Sequence, residues 1–326
     1  MYIFLTILTI FLIIFIIFFI ICFIIHNKIF GKRFELDNKI NYYQETDFNC
    51  LKEEISFKIK NLKINGLLIY PKKEYDDSKI IIYCHGLNSS KEAYMQDVSY
   101  IAKEGFLVYC FDYIGINSSD GKNIGGLANG LKSANYAAKF IHEKFPDKKI
   151  YIIGHSWGAF NAINSLKYNP YIEKVCAISP FISINKAMFN VLNKLKFLSF
   201  YFELIEGIKY KKYAFSNSIN TLKNYNGKAL IIHSKDDLIV PFESSTNKLI
   251  NKYKNEKRYE FLILENKNHN PQYKIESVKK LNDFQNKIKN LNAYELDSYM
   301  NGIDFKKLGE LDDFVMNKII DFFKEK

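Results

Sequence analysis

The stretch Tyr151-Ile152-Ile153-Gly154-His155-Ser156-Trp157-Gly158-Ala159-Phe160 decides the fold. A short apolar run typical of a buried strand enters a Gly-x-Ser-x-Gly pentapeptide, and a helix-period segment follows directly. This order places a serine on a tight turn between strand and helix, with its hydroxyl raised above a sheet. Gly154 and Gly158 leave room where a side chain would meet neighbouring backbone. The new helix directs its first N–H groups at the same point. Ser156 is therefore read as a nucleophile.

Working outward, short apolar runs recur on both sides of this turn. They are Ile55–Lys60, Ile64–Tyr70, Lys79–Cys84, Phe106–Phe111, Lys149–Ile153, Val175–Ile178, Ala229–His233 and Tyr259–Leu264. The first two read as a hairpin, and the others suit strands buried on both faces. Segments of helical period lie between them at about 89–104, 129–144, 157–168 and 243–254. Strands alternating with helices predict an α/β fold, a mostly parallel eight-stranded sheet flanked by helices. Two stretches exceed this alternation. Residues 181–226 are aromatic, lysine-rich and helical in pattern, and residues 271–326 are longer than one closing helix requires. The final helix, near Leu311–Phe323, carries an apolar face of Phe314, Val315, Ile319, Ile320 and Phe323.

A serine hydroxyl is a weak nucleophile at neutral pH and needs an adjacent base, which a carboxylate orients. Two histidines follow Ser156 in the chain. His233 lies inside an apolar strand and reads as structural, whereas His269 lies in the polar loop Asn266-Lys267-Asn268-His269-Asn270-Pro271, just past a strand end. His269 is the expected base. The preceding strand ends in Ser234-Lys235-Asp236-Asp237, and on residue chemistry either aspartate serves as the acid. An acyl-transfer intermediate also needs two N–H donors for its oxyanion. The residue after the nucleophile supplies one, Trp157. The loop Cys84-His85-Gly86-Leu87-Asn88 supplies the other, at Leu87, with His85 shaping the loop.

Together these elements resemble the α/β-hydrolase superfamily, in its branch of serine-aminopeptidase-like and monoacylglycerol-lipase-like serine hydrolases. The resemblance runs from about Ile55 to Pro271. It rests on His85-Gly86, Asp112-Tyr113-Ile114-Gly115 with Ser118 or Ser119, the serine turn, Asp237-Leu238-Ile239-Val240-Pro241, and His269. It implies an α/β-hydrolase fold with a helical lid insertion at about 181–226, and it selects Asp237 over Asp236 as the acid of an Asp-x-x-Val-Pro pattern. Ser234 and Asn117 stand where the family often has glycine. The C-terminal extension, about 271–326, is not accounted for by the resemblance beyond about Tyr294.

Ahead of the body, Tyr2 to Ile25 contain no charged side chain. As a helix this stretch spans about 36 Å, enough to cross a hydrocarbon core of about 30 Å. It lacks a basic n-region and a small-x-small cleavage site, so it reads as an uncleaved anchor and not as a signal peptide. The expected organisation is a transmembrane anchor at 1–27, a linker at 28–54 and a hydrolase domain at 55–326. Lys28, Lys32 and Arg33 follow the span and place the catalytic body on the cytoplasmic side by the positive-inside rule. The chain has 46 Lys and Arg against 35 Asp and Glu, a net charge of +11. The basic residues are dispersed lysines without an arginine cluster, which fits a surface near anionic lipid and argues against nucleic acid. The five cysteines form no CxxC pair and read as core residues in a reducing compartment.

The expected activity is hydrolysis of carboxylic esters of acyl or lipid-like substrates through Ser156, His269 and Asp237, by way of an acyl-enzyme. Phe189, Phe197, Phe200, Tyr201 and Phe202 are candidates to line an acyl pocket, or else form the lid's own core. A peptidase or amidase, an acyltransferase and a non-catalytic interaction protein on the same fold are the alternatives. No metal cluster or phosphate loop is present in the sequence pattern, and no cofactor is expected.

Overall fold

A computed structural model describes residues 1–37, 40–301 and 303–325. Eight strands form one sheet: β1 (Cys50–Ile59), β2 (Leu62–Pro71), β3 (Lys79–Cys84), β4 (Leu107–Phe111), β5 (Lys149–His155), β6 (Ile172–Ile178), β7 (Lys228–Ser234) and β8 (Tyr259–Leu264). Their spatial order is β1-β2-β4-β3-β5-β6-β7-β8. β1 pairs antiparallel with β2 and β2 antiparallel with β4, while β3 to β8 run parallel. The sheet is thus mixed, which corrects the expectation of a mostly parallel one. The cause is local: β1 and β2 are joined by a two-residue turn at Lys60-Asn61, with Lys60 at φ 56°, and so short a connection returns the chain antiparallel.

Eleven helices accompany the sheet among the described residues: α1 (Tyr2–Phe30), α2 (Met95–Lys103), α3 (Leu127–Lys144), α4 (Trp157–Ser165), α5 (Ile184–Val191), α6 (Ser199–Tyr210), α7 (Ser218–Lys223), α8 (Thr246–Tyr253), α9 (Ile275–Ile288), α10 (Ala293–Asn301) and α11 (Asp313–Lys324). Two cores result, one on each face of the sheet. Ile80, Ile82, Val175, Ala177 and Ile231 point into the first, against α3, α4 and α8. Ile81, Tyr83, Cys176, Ile178 and Ile232 point into the second, against α2 and α11. Successive strand residues face opposite sides, so a continuous apolar run fills both cores at once.

α11 begins at Asp313, capped by Asp312, whose side chain accepts from the N–H groups of Phe314 and Val315. Val315, Ile319, Ile320 and Phe323 are buried as expected. Phe314 is not, because one position into the first turn it faces outward, and Met316 and Phe322 join the buried face instead.

α1 is long and apolar enough to cross a membrane. Its first twenty residues are almost wholly exposed, yet Cys22, His26 and Phe30 are buried against the body. They recur every fourth residue and so share one face of the helix. The chain beyond α1 is pinned by backbone bonds: Gly125 N–H donates to Phe30 O at 2.8 Å and Asn117 N–H to Phe34 O at 2.7 Å. All five cysteines are buried and unpaired.

Candidate active site

The strand ends of β3, β5, β7 and β8 converge on one region because parallel strands present their C-terminal ends on one edge of the sheet. Ser156 joins β5 to α4 at φ 57° and ψ −116°, a conformation that costs a non-glycine residue roughly 1–3 kcal/mol. Its N–H donates to Ile178 O at 2.8 Å, and its carbonyl accepts from Phe160 N–H at 3.1 Å. These two bonds hold the turn from both sides. A Cβ on Gly154 would meet the Gly158 carbonyl, and one on Gly158 would meet the Cys84 carbonyl. Both glycines are therefore required by close backbone approach.

Asp237 follows β7 and is 3 % exposed. Its Oδ1 accepts from the N–H groups of Ile239 and Val240, each at 2.8 Å. Its Oδ2 accepts from His269 Nδ1 at 2.7 Å and from His233 Nε2 at 3.0 Å. Burial works to raise the Asp237 carboxyl, but the donors and charges of His233 and His269 outweigh it and hold the group well below the usual carboxylate range. Asp237 is thus ionised. The His269 proton on Nδ1 is fixed by this bond, which leaves Nε2 as the basic nitrogen. Asp236 plays a different part: it accepts from the N–H groups of Lys267 and Asn268 and so ties the β7 loop to the β8 loop.

His155, at the second position of the pentapeptide, holds the His269 main chain. Its Nε2 donates to His269 O at 2.8 Å, and Tyr94 OH donates to its Nδ1 at 2.6 Å. Ser179 Oγ donates to the same carbonyl at 3.2 Å. Burial, with His269 alongside, pushes the His155 imidazolium down to about 3, so the ring is neutral and this one-way relay of bonds persists.

The loop after β3 is built around a buried cluster. Asp112 accepts from Lys91 N–H at 2.9 Å, from Lys91 Nζ at 2.7 Å and from Ser118 Oγ at 2.7 Å. His85 Nδ1 donates to Gly86 O at 2.8 Å, and its ring packs 4.3 Å from Tyr113. Tyr113 OH in turn donates to His85 O at 3.1 Å. Leu87 at the end of this loop and Trp157 at the start of α4 border the same cavity as Ser156 and His269. The Trp157 N–H opens the helix and has no intrahelical acceptor.

That cavity measures about 540 Å³. Leu127, Phe181, Met188 and Val240 supply much of its apolar wall, and Ile29 and Phe30 of α1 complete it. Phe197, Phe200, Tyr201 and Phe202 do not line it; Phe197, Tyr201 and Phe202 lie toward α1, and the Phe189 side chain is outside the described residues. Among the described residues no group of His, Cys, Asp and Glu is arranged to hold a metal ion.

The family described as serine aminopeptidase, S33, matches residues 76–225, a span that contains the β3 loop and the serine turn. An esterase of Pyrococcus furiosus is similar in structure over 90% of this chain and 98% of its own, at a TM-score of 0.59 and 19% identity. The chain has the α/β-hydrolase fold, and the part of it that holds the serine turn matches a serine-hydrolase family. The chain is also similar to the acylaminoacyl peptidase of Pyrococcus horikoshii, at a TM-score of 0.53 and 16% identity over 80% of this chain and 44% of that one. In sequence it is 26% identical to an uncharacterized protein of Acanthamoeba polyphaga mimivirus, over 69% of this chain and 78% of the relative.

Two residues of the site escape a reading of the sequence. His233 looks like one more core residue of β7, yet its Nε2 shares the Asp237 carboxylate and its Nδ1 meets Thr246 Oγ1 at 2.7 Å. The signal available was a histidine four residues before the acid, directly after the apolar run Ala229–Ile232. His155 occupies a position the pentapeptide leaves unspecified, and only the fold brings it to His269.

Proposed function

We propose that the protein is a membrane-anchored serine hydrolase of carboxylic esters with acyl or lipid-like substrates, using Ser156, His269 and Asp237. The observation that carries this reading is the 2.7 Å bond from His269 Nδ1 to Asp237 Oδ2, with His269 and Ser156 on one cavity. In the proposed reaction His269 Nε2 takes the Ser156 proton as Oγ attacks the ester carbonyl. Asp237 stabilises the imidazolium that forms. The N–H groups of Leu87 and Trp157 receive the oxyanion. The alcohol leaves with the proton from His269, and water, activated by the same imidazole, then releases the acid.

The residues 181–226, which include α5 to α7, are proposed as the lid, since Phe181, Ala187 and Met188 form part of the cavity wall. α1 is proposed as a retained anchor with the body on the cytoplasmic side. Burial of Cys22, His26 and Phe30 against the body supports retention, because a cleaved leader would leave that surface bare. The hydrolase domain is taken as 55–326, its C-terminal extension as about 271–326.

A peptidase reading has one specific support, the match to a family described as serine aminopeptidase. Parallel turnover of p-nitrophenyl acyl esters and aminoacyl anilides separates the two. Ester turnover that rises with acyl length and vanishes in Ser156→Ala is expected. Faster turnover of anilides would replace the ester assignment with the peptidase one.

A further inference from the structure

Part of the 181–226 segment, around residues 195–202, carries apolar side chains that are exposed or turned toward α1. A short 3-10 helix, Asn193–Leu198, leads into α6. The ring of Phe197 lies 5.5 Å from Phe18, and that of Tyr201 lies 5.1 Å from Phe15. Farther along, Leu198 O is 4.0 Å from Cys22 Sγ, Phe202 lies beside His26 at 6.1 Å, and Lys209 Nζ reaches Asn27 Oδ1 at 3.3 Å. The two helices therefore run side by side in the same direction.

This registry fixes a depth, given the reading of α1 as a membrane span. The span is the uncharged stretch Tyr2 to Ile25, so Phe15 and Phe18 lie inside the hydrocarbon layer. Phe197 and Tyr201 touch them and share their level. The neighbouring Leu195, Phe197 and Phe200 are 51 %, 58 % and 52 % exposed, an arrangement that water penalises and acyl chains do not. Charge follows the same gradient on both helices. α1 leads into Lys28, Lys32 and Arg33, and α6 leads into Lys209, Lys211 and Lys212, so the basic residues of both gather at one end, where anionic headgroups would lie.

We infer that Leu195–Tyr201 is a second membrane-contacting surface, inserted beside α1 into the acyl-chain layer of the bilayer. Ile29 and Phe30, just over one turn past the end of the span, form part of the catalytic cavity wall. The cavity thereby sits at headgroup depth, and the acyl chain of a substrate resident in that leaflet reaches it without crossing water. This inference rests on the anchor reading, and its test must separate the two.

The full chain, reconstituted in phosphatidylcholine and phosphatidylglycerol vesicles, carries an environment-sensitive thiol label at Leu12→Cys, Phe197→Cys, Phe200→Cys or Phe314→Cys. The native cysteines are all buried, and Phe314 projects from α11 on the opposite face of the sheet. Labels at 12, 197 and 200 are expected to be quenched by doxyl lipid and shielded from iodide, with the reverse at 314. Iodide quenching at 197 and 200 with lipid quenching at 12 would overturn the inference alone. Iodide quenching at 12 as well would overturn the anchor reading and the inference together. In a second arm, Phe197→Asp with Phe200→Asp is expected to slow hydrolysis of a long-chain ester held in vesicles at least tenfold and to leave a short soluble ester unchanged. Equal rates on both substrates before and after substitution, or equal losses on both, would contradict it.

Discussion

The edge of the sheet that carries Ser156, Asp237 and His269 and the roof that α1, α5 and α6 place over it are stabilised in opposite ways. On the edge, Asp237 and His269 are buried and held by hydrogen bonds within the chain: Asp237 has four donors, and the His269 carbonyl has two. In the roof, large apolar side chains such as Phe197, Phe200 and Ile208 stand exposed. The edge holds geometry without outside help, as a proton relay requires. On the proposed anchor reading, an apolar medium around the roof covers these side chains. Substitutions on the edge should therefore act on the chemical step for every substrate, and substitutions in the roof should act on the access of lipid-borne substrates alone.

The largest expected effect is on the edge. His269→Ala removes the proposed base and should lower kcat by at least about 10⁴-fold, with KM for a short ester little changed. His233→Leu comes next. It removes one donor to the Asp237 carboxylate, a charge-assisted bond of about 1.5–3 kcal/mol, and should cost roughly 10–100-fold in kcat. An effect below about threefold would assign His233 to packing only. Phe200→Asp, in the roof, should change kcat on a short soluble ester by less than about twofold. A loss as large as that of His233→Leu would erase the distinction between the two regions.

The smallest effect is on stability and depends on pH. The Asp237 carboxyl is depressed in the folded protein relative to the unfolded chain. Its bonds therefore contribute fully above the unfolded value of about 4, and the contribution is lost as pH falls below it. The Tm of the native protein should drop between about pH 4 and pH 2 more steeply than that of Asp237→Asn. Parallel curves would place the depression of Asp237 in error.

Much of the edge was legible in the residues because backbone geometry constrains them tightly. The serine turn needs glycine at 154 and 158, and an apolar strand before it has few alternative readings. A histidine in a polar loop after a strand likewise has little competition. The choice of Asp237 over Asp236 came from family resemblance, and the structure gives each a distinct set of bonds. Other features depend on contacts between distant parts of the chain. His233 and Thr246 meet across two elements, and His155 meets a carbonyl far along the sequence. The docking of α1 left almost no trace, since a helix apolar on every side has no preferred face until a partner covers one. The antiparallel start of the sheet was legible in the hairpin of β1 and β2, but the antiparallel pairing of β2 with β4 was not, because a buried strand shows the same apolar run whichever way its neighbour points.

The central claim is that Ser156 is the nucleophile, and a fluorophosphonate probe addresses it most directly. Intact-protein and peptide mass spectrometry of the labelled chain should find one adduct, on the peptide that contains Ser156, and none in Ser156→Ala. An adduct on another residue, or equal labelling of Ser156→Ala, would contradict the account.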